Sequence, residues 1–402
     1  MSDDFLIRAR DVYVAANAGT LQWVLDRPRR HGAFLDTKMN SITLQDFPES
    51  DLWRGPRSTY GWIQGRGLEA LVTHAVFFEA EDPELARRLH AAARHLYTAL
   101  ADLHDRYGAA FFTYDEVLSP VFRNADGAAE PQATGTPFVT YSDLFVIKGL
   151  IRAATEYDPE RRPDYLARLA EIVEAIEHGR FVMDEAQRLT PEAAAVQAPE
   201  FGPRMIAMGA AGMLVRLGLR DQAGFGDRFI SHVLEHHLDL ETGLIRDAEG
   251  GDRANVGHAL EFAGFAFEYL PEDADSQLVN MLCDIARDAF GKGFAGPGLN
   301  LHVIVSTGDH ASPNFPWWSL PEAMRAAAFG HARTGRSDLR DVWMRAHEAF
   351  FTNYWRGTPA VAYQTRTLEG PHDFVPATSD LDPGYHTGLS LLGTIEAIND
   401  LR

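Results

Sequence analysis

The sequence predicts an all-α fold, an (α/α)6 barrel in which six helical hairpins form an inner and an outer ring. Helical periodicity recurs along nearly the whole chain of 402 residues, and few segments show the two-residue alternation of strands. Charge-poor helices alternate with amphipathic ones, and short connections alternate with long ones. No composition break or flexible linker divides the chain, so residues 1–402 are predicted to form one domain.

The periodicity indicates about twelve helices. The stretches at 83–107 and 337–354 carry charges at the spacing of a helix with one solvent-facing side. Those at 203–219 and 257–270 are poor in charge and rich in Gly, Ala and large apolar residues, which is typical of enclosed helices. In chain order the predicted helices are 5–27, 60–80, 83–107, 141–157, 163–179, 203–219, 222–238, 257–270, 274–292, 317–334, 337–354 and 383–400.

The spacing of the charge-poor helices favours a closed ring. They begin at a loose interval of about sixty residues, which is the kind of period that marks stacked or ringed units. A solenoid would need polar caps at both ends and has no reason to enclose every second helix. The positions at which these helices begin are near 60, 141, 203, 257, 317 and 383.

The connections predict where a functional site lies. Every long loop leads into a charge-poor helix, so the long loops gather at the face formed by the N-terminal ends of the inner helices. Two of them contain β-prone runs, AAFFTYDEV and LHVIVSTG, which are predicted to form small hairpins over a pocket. The long loops are 108–140, 180–202, 239–256, 293–316 and 355–382.

Composition restricts the ligand class. The formal net charge of -20 argues against nucleic acid and acidic membrane surfaces, because polyanions would be repelled, and a small molecule fits better. The single cysteine, Cys283, suits a reducing cytoplasm. No segment approaches 18 uninterrupted apolar residues, so no membrane span is predicted.

Polar and aromatic residues cluster at the starts of the inner helices. Flat aromatic rings pack against the C–H faces of sugars, and polar groups can fix their hydroxyls, so this set suits a carbohydrate. The residues predicted to face the cavity are Tyr60, Trp62, Gln64, Arg66, Tyr141, Asp143, Arg204, Met208, His258, Glu261, Trp317, Trp318, Glu322, Tyr385 and His386.

Two histidines of this set predict acid/base chemistry. His258 falls in the first turn of its helix, where the helix dipole favours a neutral imidazole. Glu261 lies one turn further and is expected to orient that ring or hold a substrate hydroxyl. His386, at the start of the last inner helix, is expected to face His258 across the cavity. Two opposed acid/base groups are what proton transfer at a carbon next to a carbonyl requires.

Each of these residues also has a purely structural interpretation. The histidines can be satisfied core residues, and Arg66 can be a buried partner of a carboxylate. Glu322 completes an S-x-x-E capping box with Ser319. His232 and His236 have the i, i+4 spacing of zinc ligands, but the HExxH order is absent, so no metal is predicted.

Four short motifs resemble the N-acylglucosamine 2-epimerase family, which includes cellobiose 2-epimerases and mannose isomerases. They run in the family's order over nearly the full chain, and together they are specific. The resemblance implies an (α/α)6 barrel, no cofactor, a possible homodimer, and interconversion of sugars at C2 through ring opening and a cis-enediol. The motifs are WIQGR at 62–66, GHALE at 257–261, WWSLPEA at 317–323 and PGYH at 383–386.

The resemblance also implies residue roles. His258 and His386 match the family's acid/base histidines, and Arg66 matches the arginine that holds sugar oxygens near the reacting carbons. Glu261 and Glu322 match the motif glutamates, one assisting its histidine and one binding hydroxyls. Trp318 matches a sugar-contacting tryptophan. The remaining predicted substrate contacts are Tyr60, Tyr141, Asp143, Arg204, Trp317 and Tyr385.

Two departures bear on the substrate. Cellobiose epimerases and mannose isomerases carry another histidine in a stretch resembling NPHMH, where this chain reads GPRMI at 202–206; this favours the N-acyl hexosamine branch. Leu389 stands where the family often has an arginine. The predicted function is a cytoplasmic, metal-independent sugar 2-epimerase. The alternatives are an aldose–ketose isomerase, a glycoside hydrolase or lyase using Glu261 with Glu322 or Asp143, and a non-catalytic sugar-binding protein.

Overall fold

The computed structural model describes residues 2–197, 199–374 and 378–402. Within these residues, six helices form an inner ring, six form an outer ring, and one short helix lies in a long loop. The inner helices are the even-numbered α2 and α4 and the odd-numbered α7, α9, α11 and α13. In chain order the helices are α1 (Ser2–Asp26), α2 (Gly61–Glu81), α3 (Pro83–Tyr107), α4 (Tyr141–Tyr157), α5 (Arg162–Glu177), α6 (Pro191–Gln197), α7 (Gly202–Arg216), α8 (Phe225–His236), α9 (Val256–Tyr269), α10 (Ser276–Gly293), α11 (Ser319–Thr334), α12 (Ser337–Ala349) and α13 (Ser390–Asp400).

The inner ring closes on itself. Each inner helix packs on the next, from α2 on α4 through to α11 on α13. A π-helical turn at Tyr385–Leu389 leads into α13 and packs back on α2. The outer helix α1 packs on α13 and α3. The predicted all-α (α/α)6 barrel is therefore confirmed.

The helices differ from the predicted ones mainly at their ends. The segment predicted at 383–400 begins with the π-turn, and the one predicted at 337–354 leaves the α-helix at Ala349 and ends in a second π-turn, Phe350–Tyr354. The short helix α6 lies within the predicted loop 180–202. Its sequence, PEAAAVQ, combines proline at the first position with alanines, which favours a helix too short to show a hydrophobic period.

Short strands hold the entrances of the inner helices. Strands end directly before α2 and α4, and others end within three residues of α9 and α11. In chain order the strands are β1 (Arg29–Arg30), β2 (Phe34–Leu35), β3 (Thr59–Tyr60), β4 (Thr113–Tyr114), β5 (Pro120–Arg123), β6 (Ala129–Pro131), β7 (Val139–Thr140), β8 (Phe181–Val182), β9 (Arg253–Ala254), β10 (Phe294–Ala295), β11 (Gly298–Leu299), β12 (Val303–Ile304), β13 (Phe315–Pro316) and β14 (Thr365–Arg366).

The strand pairs tie distant loops together. One antiparallel sheet has the order β3-β4-β5-β6, and β7 pairs in parallel with β8. In the LHVIVSTG run, Val303 pairs both with His310 of its own loop and with Ala254 of β9. The remaining pairs are β1 with β2, β10 with β11 and β13 with β14, all antiparallel.

A close crossing of α2 and α4 fixes one side of the cavity. A Cβ at Gly65 would lie 2.4 Å from the backbone carbon of Phe145, and one at Gly149 would lie 2.6 Å from the backbone oxygen of Gly65. Only glycine allows the two backbones to approach in this way. The crossing places Arg66 of α2 beside Phe145 of α4. None of the described helices has an apolar stretch long enough to span a membrane.

Candidate active site

A cavity of about 440 Å³ opens at the face where the long loops gather. Its volume lies within the range of small-molecule sites, and its wall combines aromatic, apolar and ionisable side chains. Seven residues predicted to bind substrate or catalyse line it: Arg66, Tyr141, His258, Glu261, Trp317, Trp318 and His386.

The two predicted acid/base histidines share one aromatic neighbour in this cavity. The ring centroid of His258 lies 5.1 Å from that of Trp318, and the centroid of His386 lies 5.5 Å from it. The interplanar angles are 34° and 37°. Both imidazoles therefore flank the same indole and open into the same space.

His386 is held by a carboxylate. Its Nδ1 lies 2.8 Å from Oε1 of Glu322, while Oε2 of Glu322 accepts a hydrogen bond from Arg325. Burial alone would raise the pKa of Glu322, but Arg325 and the contact with His386 outweigh burial and lower it. An ionised carboxylate only accepts hydrogen bonds, so Nδ1 of His386 carries the hydrogen of this contact, and the neutral tautomer that the contact favours has its lone pair on Nε2.

Glu322 thus differs from both of its predicted roles. It is a positioning partner of His386 rather than a group that lines the cavity. The alternative capping box is wrong, because α11 begins at Ser319 itself and the Ser319 hydroxyl donates to the backbone oxygen of Pro316.

His258 has a contrasting environment. The Asn255 side chain caps α9 by accepting from the backbone nitrogen of His258 at 3.2 Å. Burial, and then the nearby His386, His302 and Arg66, lower the pKa of the His258 imidazole to about 3. His258 is therefore neutral at physiological pH, and burial is the largest cause.

Glu261 lies near the other histidine. Donor atoms of Glu261, Glu322 and His386 all lie within 4.8 Å of one another. Burial and the neighbouring Glu322 raise the pKa of Glu261. The expectation that Glu261 orients His258 is therefore replaced by a position beside the His386–Glu322 pair, where its protonated form can donate a hydrogen bond.

Among the described residues, Glu261, Glu322 and His386 form the group whose spacing could hold a metal ion. Both oxygens of Glu322 and Nδ1 of His386 are already engaged in hydrogen bonds. A cation would have to displace these bonds and sit close to the Arg325 guanidinium, so the donor set does not fit a metal well. On α8, the ring centroids of His232 and His236 lie 4.4 Å apart with their planes tilted by 32°, and Nδ1 of His236 lies 3.0 Å from Oε1 of Glu249.

Arg66 is held by aromatic rings. Its guanidinium carbon lies 4.1 Å from the ring centroid of Phe145, 4.6 Å from that of Trp62 and 5.0 Å from that of Tyr385. Burial lowers the pKa of Arg66, and its Nε has no hydrogen-bond partner among the described residues. The arrangement presents a cation to the cavity without a carboxylate bonded to that nitrogen.

Tyr385 does not line the cavity, but its ring packs against the Arg66 guanidinium. Its hydroxyl accepts a hydrogen bond from the buried Lys148 at 2.8 Å, and Lys148 pairs with Glu69 at 3.1 Å. The predicted substrate contact at Tyr385 is therefore corrected to a support for the Arg66 guanidinium.

Three further predicted substrate contacts do not line the cavity, because their side chains bind or pack against groups outside it. The Tyr60 hydroxyl donates to the backbone oxygen of Trp53. Asp143 accepts from the backbone nitrogen of Thr140 and pairs with Arg168 at 3.1 Å. Arg204 lies over the ring of Phe229 on α8, 5.8 Å from its centroid.

Gln64 and Met208, which the sequence predicts to face the cavity, do not line it. Gln64 bonds the backbone nitrogen and oxygen of Leu35 through its side-chain amide. Met208 is a fully buried core residue.

Sequence reasoning missed several cavity residues that belong to loops. His302 lies across from Asn255 when the register of β9 and β12 is extended by one residue, and both line the cavity. Glu185 does so as well, and burial followed by repulsion from Asp184 raises its pKa to about 7. Asp382 accepts backbone hydrogen bonds from Tyr385, His386 and Thr387, and an aspartate directly before the proline of PGYH is a helix-start signal that could have found it.

No protein-family model matches the chain, and no curated protein matches it either. Among solved structures, cellobiose 2-epimerase from Bacillus thermoamylovorans B4167 aligns with a TM-score of 0.73 at 15% identity, over 98% of this chain and 99% of that one. A D-mannose isomerase aligns with a TM-score of 0.69 at 12% identity, over 96% and 97%. A glycoside hydrolase family 76 mannosidase from Bacteroides thetaiotaomicron aligns with a TM-score of 0.55 at 12% identity, over 98% and 100%. At these identities the likeness shows the shared fold.

Proposed function

We propose that this protein is a sugar 2-epimerase or aldose–ketose isomerase that moves a proton at C2 of an open-chain sugar. The observation that carries the proposal is the pair His258 and His386, which flank Trp318 and open into one cavity with Arg66. Greater structural similarity to the epimerase and the isomerase than to the mannosidase supports the same reading.

The contrast between the two histidines supports distinct roles. His386 takes the proton from C2 at Nε2, since the Glu322 carboxylate stabilises the imidazolium that forms. The electrons of the C2–H bond move to the C1–C2 bond and the carbonyl oxygen becomes an enediolate oxygen, which the Arg66 cation stabilises. Neutral His258 faces the same intermediate as a hydrogen-bond donor or proton carrier.

The fate of the proton separates the two activities. Delivery of a proton to the opposite face of C2 gives the epimer, and delivery to C1 gives the ketose. The low pKa of His258 supports the isomerase as a second candidate, because a neutral imidazole suits polarisation of a carbonyl better than proton donation.

The cavity wall supports an uncharged substrate. Among the described residues that line it, Arg66 is the only lysine or arginine, whereas five carry carboxyl groups. An anionic sugar would therefore be repelled. Met183, Met205 and Ile206 form an apolar part of the wall, which suits the methyl of an N-acyl group. We therefore favour N-acetylglucosamine and N-acetylmannosamine.

Hydrolysis by paired carboxylates is less well supported. A glycosidase needs one free carboxylate and one carboxylic acid flanking the bond. Glu261 is free for such a role, but both oxygens of Glu322 accept hydrogen bonds. Asp143 accepts from the backbone nitrogen of Thr140 and pairs with Arg168. The inner helices α2, α4, α7 and α9, the residues just before α11 and the turn before α13 all contribute to the cavity, which supports one catalytic domain spanning the chain.

Incubation with candidate aldoses in D2O tests the proposal. We expect deuterium at C2 of N-acetylmannosamine or N-acetylglucosamine, measured by proton NMR and mass spectrometry, together with the epimeric product. Mannose and cellobiose in parallel tubes test the alternative substrates. A labelled ketose would assign the isomerase, cleavage of a glycoside would assign a hydrolase, and no reaction with binding alone would assign a sugar-binding protein.

The histidine roles are tested in the same assay. We expect His386→Ala and His258→Ala each to reduce exchange by about 10²–10⁴-fold, the usual contribution of a positioned acid or base. His236→Ala, which changes an exposed histidine on α8, is the matched control and should exchange at the wild-type rate. Full exchange by both cavity variants would contradict the proposed roles.

A further inference from the structure

A line of alternating charges leads away from His386 through the barrel. Glu322 binds His386 with one oxygen and Arg325 with the other. Nη1 of Arg325 lies 3.6 Å from Oε1 of Glu268. The line ends at Arg216, whose Nη1 lies 2.8 Å from Oε2 of Glu268.

This line runs from one end of the barrel to the other. Glu322 lies in the first turn of α11, whereas Glu268 and Arg216 lie in the last turns of α9 and α7. The ten residues from His258 to Glu268 correspond to about 15 Å along the α9 axis. The four side chains Glu322, Arg325, Glu268 and Arg216 thus connect the cavity to the far side of the inner ring.

The helices around the line leave space for it. The Arg325 side chain is 4% exposed and that of Glu268 is 3% exposed. A Cβ at Gly264 of α9 would lie 2.9 Å from Nε of Arg325, and one at Gly393 of α13 would lie 3.2 Å from its Cδ. Glycines on two neighbouring inner helices therefore accommodate the arginine, which indicates a built site rather than a chance contact.

The charges of the line explain how Glu322 stays ionised. A carboxylate buried without partners would take up a proton, and a protonated Glu322 would accept from Nδ1–H of His386 more weakly and would not stabilise its imidazolium by charge. Arg325 supplies the compensating cation, and Glu268 in turn compensates Arg325. Because Arg216 closes the line, its four side chains carry no net charge.

We propose that Arg325 and Glu268 are positioning residues which keep Glu322 ionised and so fix the tautomer and basicity of His386. The inference rests on the proposed function in one respect, since it assigns these residues to the proposed catalytic histidine. Neither Arg325 nor Glu268 lines the cavity, so they act through Glu322.

Other charged or titratable groups also face His386 and are left unchanged by the test. From α9 these are His258 and Glu261, and from α2 they are Arg66 and the fully buried His74, which lies against Gly388. From the segment before the turn, Asp382 accepts the backbone N–H of His386.

The test substitutes the two residues of the line that lie farthest from His386, Glu268 and Arg216. Glu268→Gln removes a negative charge and leaves Arg325 to Glu322 alone, so the His386 imidazole should titrate at lower pH. Arg216→Gln removes a positive charge, so the same imidazole should titrate at higher pH. We expect shifts of about half to one pH unit in opposite directions. The measurement is a two-dimensional NMR titration of ¹⁵N-histidine-labelled protein without sugar, with His386→Gln used to assign the resonance.

Asp143→Asn is the matched control, because it removes another buried carboxylate that pairs with an arginine on a different element. It should lower the melting temperature and leave the His386 titration at the wild-type value. Unchanged titration in both Glu268→Gln and Arg216→Gln, or shifts in the same direction, would overturn the proposal. Arg216 is 33% exposed at the far end, so its variant should fold even where Glu268→Gln does not.

The experiment separates this proposal from the proposed function. The titration needs no substrate, so opposite shifts in a protein that exchanges no C2 proton would uphold the charge line and overturn the enzymatic activity. C2 exchange by the wild type, together with unchanged His386 titrations in the variants, would uphold the enzymatic activity and overturn the charge line. In an active enzyme, the acid limb of the kcat profile should follow the NMR shifts, which a structural role alone would not produce.

Discussion

Two imidazoles in one cavity differ because of the residues within a few ångströms of them. His386 gains a carboxylate at 2.8 Å, whereas burial and surrounding positive groups lower the pKa of His258. A carboxylate next to an imidazole stabilises its charged form, and burial without such a partner disfavours that form. The chemistry assigned to each histidine therefore follows from Glu322 as much as from the ring itself.

Arg66 gives a prediction at the same scale. Arg66→Met keeps an apolar chain between the rings of Phe145 and Tyr385 but removes the cation. We expect kcat/KM for C2 exchange to fall by about 10²–10³-fold, the usual loss when one donor to a developing oxyanion is removed. Thermal stability should change little, since a buried cation supported mainly by rings is costly to keep. Arg204→Met, on a residue outside the cavity, is the control; equal kinetics in the two variants would contradict the assigned role.

The sequence predicted some of the residues that line the cavity correctly and others wrongly. Trp318 and His386 were predictable because each starts an inner helix within a distinctive motif. Tyr60, Asp143 and Arg204 occupy similar positions, but the direction of a first-turn side chain depends on how far its helix is rotated, and the sequence period does not give that rotation. His302 was missed because its position follows from the pairing of β9 with β12, a contact between loops about fifty residues apart.

Helix entrances set the geometry at the next scale. Strands pin the starts of α2, α4, α9 and α11, and residues at or just before these starts line the cavity, among them Arg66, His258 and Trp318. The last inner helix enters differently, through the wider π-turn that carries His386. Alternating helix character predicted the ring, whereas α6 and the π-turns were not predictable, since each is shorter than the window in which periodicity can be recognised.

The α2–α4 crossing carries a prediction about an element. Gly65→Ala would place a Cβ 2.4 Å from the Phe145 backbone, so the two helices must separate. We expect a loss of about 1–3 kcal/mol in the free energy of unfolding, measured with urea, and a lower exchange rate because Arg66 moves with α2.

Gly291→Ala is the matched control for the crossing. This glycine lies in the exposed outer helix α10 with nothing near its Cβ position, so alanine should stabilise the helix by about 0.5–1 kcal/mol. Wild-type stability and exchange in Gly65→Ala would show that the helices tolerate a wider separation.

The whole molecule encloses ionisable groups that an apolar core would lack. The line from Glu322 to Arg216 and the Lys148–Glu69 pair lie among the inner helices, where each buried charge needs a partner of opposite charge. The sequence showed charge-poor helices but not which of their few charges meet. Such pairs depend on the relative rotation and height of neighbouring helices, so only the folded structure reveals them.

Buried histidines make the stability of the whole molecule depend on pH. Burial lowers the pKa of His74 to about 4, so between pH 6.5 and 4 the unfolded chain binds a proton there that the folded protein does not. The free energy of unfolding therefore falls as the pH decreases through this range, by about 3 kcal/mol for a shift of this size. In urea unfolding at pH 7 and pH 4, His74→Gln should lose less stability on acidification than wild type by about that amount. His178→Gln, at an exposed site after α5, should keep the wild-type dependence, and equal dependence in all three proteins would show that His74 is protonated in the folded state.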